Sequence, residues 1–148
     1  MTARVTLTHE YPYPSDLVWF VATDLEHLET VMKGLISFRG LPEGQIYERQ
    51  HINVYVSLFG FFPYQPYEMT VLECDHDTRR FVSSEKGAGV KSWRHTLQIT
   101  PTPNGCRIDE TIEIDAGRLT SLFARWARFL YQKRHKPRLK ILADLSAV

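Results

Sequence analysis

Trp93-Arg94-His95-Thr96-Leu97-Gln98-Ile99-Thr100 and Cys106-Arg107-Ile108-Asp109-Glu110-Thr111-Ile112-Glu113-Ile114-Asp115 stand on either side of Pro101-Thr102-Pro103-Asn104-Gly105. In the first run Trp93, His95, Leu97 and Ile99 share one parity; in the second Cys106, Ile108, Glu110, Ile112 and Ile114 do. A period of two belongs to strands with one buried face, and a short Pro/Asn/Gly segment between them makes a hairpin. If Pro101 pairs with Cys106 across the turn, Leu97 faces Glu110 and His95 lies one diagonal step away. Both polar side chains then point inward with the apolar set. A buried carboxylate costs several kcal/mol unless it is paired, and a neighbouring imidazole satisfies it.

Outward from this hairpin the chain reads as β from Gly40 to Asp115. Ile52, Val54, Val56 and Leu58 alternate with Asn53, Tyr55 and Ser57. Gly60 to Pro66 interrupts the pattern, which resumes at Tyr67, Met69 and Val71. Asp75-His76-Asp77 is a polar turn, and Phe81-Val82-Ser83 is a strand that ends at Gly87-Ala88-Gly89. Short connections favour an antiparallel meander over crossover units. Upstream, Val5, Leu7 and His9 mark another strand, which Tyr11-Pro12-Tyr13-Pro14 ends because proline cannot donate to a ladder. Ser15 is placed to cap one short helix and Asp24 a second, which Gly34 stops.

Downstream, Gly117 leads into the one long helical pattern. With Leu119 at the origin, Leu122, Phe123, Trp126 and Leu130 fall within an arc of about 100°, and Arg125 and Arg128 lie opposite. The spacing therefore predicts a helix whose Leu119 to Leu130 stripe faces the sheet. Pro137 has no N–H, so a kink or break is expected near Lys136.

The order of elements, with an aromatic helix closing on a curved sheet, resembles the helix-grip fold of the START-like, birch-pollen-allergen-like and polyketide-cyclase-like superfamily (SRPBCC). Tyr11 to Asp24, YPYPSDLVWFVATD, is similar to the superfamily's first strand end and the helix after it. Trp93-Arg94-His95 and Asn104-Gly105-Cys106-Arg107-Ile108-Asp109-Glu110 resemble its W-x-H strand and the strand that follows. Leu122 to Arg138 resembles its terminal aromatic and Arg-rich helix. Three positions depart from the usual pattern: Leu97 replaces a second histidine, Cys106 a threonine and Glu110 an aspartate. The resemblance implies an α+β domain spanning 1–148, with a curved antiparallel sheet wrapped around a long C-terminal helix and two short helices after the first strand. It also implies a cavity between sheet and helix.

With 148 residues, 43% hydrophobic and 12% aromatic, the chain suits one folded domain and not a disordered or coiled-coil segment. Its apolar runs are shorter than the ~20 residues of a spanning helix, and Met1-Thr2-Ala3-Arg4-Val5 lacks a signal-peptide core. A soluble, cytoplasmic protein, monomeric or homodimeric, is expected. Cys74 and Cys106 form no motif and read as buried thiols.

Trp93, His95, Glu110, Leu122, Phe123 and Trp126 are the candidate ligand-binding residues, with plain core packing as the alternative for the apolar four. For His95 and Glu110 the alternatives are a structural pair, a polar contact to a ligand, or acid–base catalysis. Glu85, which shares its parity with Phe81, is a further candidate for the same interior group. No metal-ligand spacing, phosphate loop, dinucleotide fingerprint or nucleophile elbow occurs in the sequence, so neither metal nor cofactor is expected.

Charge is uneven: residues 1–117 carry 10 basic and 16 acidic side chains, residues 118–148 carry 8 and 1. Arg125 to Lys140 reads first as a solvated helix face. Contact with a membrane surface or with nucleic acid is the alternative. The expected function is binding of a hydrophobic or aromatic small molecule, lipid- or polyketide-like, without turnover, and without nucleic-acid partner or stable membrane insertion. A cyclase/dehydratase-type enzyme using the same cavity is the alternative, and an interaction module using its basic helix on an anionic partner is the next.

Overall fold

The structure, a computed structural model, describes residues 2–147. Seven antiparallel strands form one sheet: β1 (Ala3–Tyr11), β2 (Ile36–Arg39), β3 (His51–Leu58), β4 (Gln65–Asp75), β5 (Arg80–Gly87), β6 (Val90–Thr102) and β7 (Gly105–Asp115). Their spatial order is β1-β7-β6-β5-β4-β3-β2. The connection from β1 to the far edge carries α1 (Ser15–Thr23) and α2 (Leu25–Val31); α3 (Thr120–Lys133) and α4 (His135–Ser146) end the chain.

The β6–β7 register follows the parity of the hairpin, with Pro101 opposite Cys106, Leu97 opposite Glu110 and His95 opposite Ile112. Cys106, Ile108, Glu110, Ile112 and Ile114 are all buried. Burying isoleucines of this kind contributes roughly 1.5–3 kcal/mol each, which anchors the register. At Gly105 an added Cβ would sit 2.0 Å from the Tyr11 carbonyl oxygen, so the hairpin turn has no room for a side chain. A register shift between Val71 and Glu73 in β4 helps to bend the sheet around the core.

Several elements differ from the sequence expectation. Strand β2 lies before Gly40, within a stretch read as non-β; four residues of intermediate or full exposure give no alternation to recognise. Residues 40–50 are mainly loop rather than strand. Ser15 is the first residue of α1 and does not cap it: Pro14 occupies that position, its carbonyl accepting from the Leu17 and Val18 amides. Asp24 does cap α2, accepting from the His27 amide. The terminal helix breaks at Arg134, two residues earlier than expected. Proline's ring collides with the carbonyl four residues back, here Lys133, so the break falls at the end of α3 and leaves Pro137 in the first turn of α4.

Packing of α3 also differs. Its buried residues are Thr120, Ala127, Leu130 and Tyr131, centred about 90° round the helix from Leu119. Leu119 and Leu122 are exposed. Ala127, Leu130 and Tyr131 pack with Val5, Leu7, Trp93, Ile112 and Ile114 in one apolar cluster. A second cluster joins α1, β3 to β7 and Leu142 of α4.

Candidate functional site

The sheet curves away from α2 and α3 and leaves a cavity of about 150 Å³ between them. Strands contribute Ile52, Val56, Tyr67, Met69, Val71, Phe81, Trp93 and His95; the helices contribute Leu25, Leu28, Phe123, Trp126, Leu130 and Tyr131. Most of this wall is apolar; its polar side chains are Thr23, Asp24, Tyr67, Ser83, Glu85, His95 and Arg134. A cavity of that size and chemistry holds one aromatic ring, since dry apolar cavities of roughly 150 Å³ take up benzene.

Of the six sequence candidates, Trp93, His95, Phe123 and Trp126 line this cavity. Leu122 does not: it is 61% exposed, because the buried face of α3 is rotated away from it. Glu110 is buried but is not part of the wall; its role is to hold His95. Glu110 Oε2 lies 2.6 Å from His95 Nε2. Burial would raise the Glu110 pKa, yet the hydrogen bond and charge of His95, then the charges of Arg138 and Arg134, outweigh it and lower it to about 2. Glu110 is therefore a carboxylate and accepts from His95 Nε2. The imidazole stands edge-on to Phe81 at 5.2 Å and to Tyr131 at 4.8 Å. Its position is thus held from three sides.

Four residues beyond the sequence candidates, Tyr131, Tyr67, Ser83 and Arg134, complete the site. Tyr131 accepts from Trp93 Nε1 at 3.3 Å, so the buried indole N–H has its partner inside the protein. Burial pushes the Tyr131 and Tyr67 phenols up, which keeps both neutral. Tyr67 donates to Glu85 Oε1 at 2.8 Å and Ser83 to Glu85 Oε2 at 3.2 Å, holding that carboxylate at the cavity wall. The Arg134 guanidinium lies over the Tyr131 ring at 4.1 Å. It has no hydrogen-bond or ion-pair partner among the described residues, and its Nε is buried.

Arg138 corrects the reading of Arg125 to Lys140 as wholly solvated. It is buried, and its Nη1 donates to the Tyr11 hydroxyl at 3.2 Å. The break at Arg134 turns α4 so that Arg138 enters the interior beside Glu110. A tyrosine at the end of β1 and an arginine 127 positions later carry no local signal of their contact. The polar turn also has a structural part, since His76 Nδ1 accepts from Trp19 Nε1 at 2.9 Å.

A curved antiparallel sheet closing with a C-terminal helix over an internal cavity defines the helix-grip proteins of the SRPBCC type, and this chain has that fold. Ara h 8.0201 matches it with a TM-score of 0.76 at 11% identity, over 97% of this chain and 99% of that one. Norcoclaurine synthase from Thalictrum flavum, in complex with dopamine and hydroxybenzaldehyde, gives 0.71 at 16% identity over 97% and 88%. Protein NE0264 from Nitrosomonas europaea gives 0.76 at 16% identity over 98% and 97%. No curated protein sequence matches the chain. Within this fold the chain belongs to the family described as a domain of unknown function, DUF8410, whose model matches residues 16–141.

Proposed function

We propose that the protein binds a hydrophobic or aromatic small molecule in the cavity between sheet and α3, and releases it unchanged. The observation that carries this reading is the cavity itself, an apolar space flanked by Trp93, Phe123 and Trp126 with a few polar groups in its wall. Small-molecule sites have this composition, a mostly apolar wall with few placed polar groups. A ring or short apolar chain fits among Val56, Met69, Val71 and Phe81. A hydroxyl or carbonyl on the same molecule reaches towards Tyr67, Glu85 and Arg134. Larger ligands require movement of α3 against the sheet, because known ligand pockets run to roughly 300 Å³ and more.

The test is native mass spectrometry of the purified protein after exposure to a cell extract, with Val56→Phe as comparison. Overpacking a solid core costs about 1–3 kcal/mol, whereas a ring added into an empty space costs less than about 1 kcal/mol. Val56→Phe is therefore expected to keep its melting temperature within a few degrees and to lose the bound small molecule. Equal small-molecule occupancy in both proteins, or none in either, would rule the reading out.

One observation favours a second reading: His95 lines the cavity and is hydrogen-bonded to a carboxylate. An imidazole oriented in this way is the arrangement of a general acid–base group, typically worth ~10²–10⁴-fold in rate. A solved protein of the same fold is a synthase, which keeps a cyclase/dehydratase-type enzyme using the same cavity in view. Turnover of reactive polyketide-like substrates that disappears in His95→Ala would make the protein an enzyme and replace the binding reading.

A further inference from the structure

Helix α3 has two apolar faces, and only one is covered by the sheet. The second runs through Leu119, Leu122, Trp126 and Phe129. Leu119, Leu122 and Phe129 are 54%, 61% and 41% exposed. The loop between β3 and β4 extends this face with Phe59, Phe61 and Phe62, which are 42%, 76% and 47% exposed. The rings are continuous: Phe61 to Phe62 at 4.7 Å, Phe59 to Trp126 at 5.2 Å and Trp126 to Phe129 at 5.7 Å. Ordinary protein surface leaves large apolar side chains scattered singly; a contiguous aromatic patch marks an interaction site.

Its charge surroundings select the partner. Arg118 and Arg125 lie within about 80° of the centre of this exposed arc, and Lys133 reaches over the Phe129 ring at 5.6 Å. Arg118, Arg125, Arg128 and Lys133 are all exposed, and no acidic residue occurs between Asp115 and Asp144. Aromatic and leucine side chains beside an arginine and lysine border are what an in-plane helix presents to a lipid headgroup region. A second copy of this chain would bring the same positive face against itself, so like charge opposes that occupant. No helix among the described residues is long and apolar enough to cross a membrane.

We infer that the Phe59–Phe62 loop and the outer face of α3 form a docking surface for an anionic lipid bilayer. Trp126 belongs both to this surface and to the cavity wall, to which Phe123 of the same helix also contributes. An apolar molecule then has a route from bilayer to cavity that does not cross water. The docking itself depends on the exposed face and not on which molecule the cavity takes.

The experiment is co-sedimentation of the protein with phosphatidylcholine vesicles, with and without phosphatidylserine, at low and physiological salt. Binding is expected only with phosphatidylserine and is expected to weaken as salt rises. Each basic side chain near an anionic surface contributes about fivefold. Arg125→Glu with Lys133→Glu is therefore expected to weaken binding by at least ~25-fold. Phe61→Ser with Phe62→Ser should abolish it, with far-UV circular dichroism confirming the fold of both variants. Because Arg125 and Lys133 are exposed, their reversal tests the surface even if the phenylalanine variant folds poorly. Absence of sedimentation, equal binding to both vesicle types, or wild-type binding by the charge-reversed variant would overturn the assignment. A concentration-dependent dimer in light scattering, dispersed by the phenylalanine changes, would assign the face to a second copy instead. Retained small-molecule capture in the non-sedimenting variants separates this surface from the cavity.

Discussion

Glu110→Ala is expected to lower the unfolding free energy by about 3–5 kcal/mol, the usual consequence of removing one partner from a buried ion pair. Glu110 is 2% exposed and His95 4% exposed, so water cannot replace the lost carboxylate. Arg138 is buried beside them and loses its negative neighbour at the same time. The measurement is urea-induced unfolding followed by tryptophan fluorescence. Replacing both His95 and Glu110 by Leu is expected to cost less than the two single changes combined, because neither group is then left buried alone. Strict additivity would show that the two side chains do not stabilise each other.

Stability is also expected to fall steeply in acid. Glu110 is held at about 2 against an ordinary value of 4.5. Its contribution is complete above the unfolded value and is lost as pH falls from about 4.5 towards 2. That difference corresponds to about 3 kcal/mol. His9 and His135 add to the same trend at higher pH. Burial lowers both from 6.5, and they stack ring on ring at 4.8 Å. The unfolded chain therefore takes up protons at these positions first, and stability begins to decline as pH falls below about 6.5. Unfolding titrations between pH 7 and pH 3 test both parts. In Glu110→Gln the lower limb should flatten while the decline near pH 6 remains. An unchanged lower limb in that variant would place the acid sensitivity elsewhere.

The Glu110 and His95 pair was legible because every step towards it is local. Parity assigns both residues to the inner face, the Pro/Asn/Gly turn sets the register, and the register makes them diagonal neighbours. The same local logic located α1, the Asp24 cap of α2 and the helical segment after Gly117. It misplaced the cap of α1, where Pro14 holds the N-cap position expected of Ser15 and Ser15 is the first helical residue. It also passed over β2, whose four residues have no buried face of their own and pair only along the edge of β3.

What the sequence by itself determined is therefore the order of elements apart from β2, the inner faces of the central strands and the buried polar pair on β6 and β7. A strand's two faces differ by 180°, so composition alone tells them apart. A helix with apolar residues over more than half its circumference gives no such choice. Only the tertiary structure decided that α3 rests on Ala127, Leu130 and Tyr131, leaving Leu119 and Leu122 outside and Trp126 at the cavity edge. Fully buried Ala127 shares one cluster with Val5 and Leu7 of β1 and Ile112 and Ile114 of β7, and its small side chain lets the helix lie closer to the sheet than Trp126 or Leu122 would. The same holds for Arg134 and Arg138. Their place inside the molecule follows from the turn that Pro137 forces between α3 and α4, and from a carboxylate on a strand folded far from them in the chain.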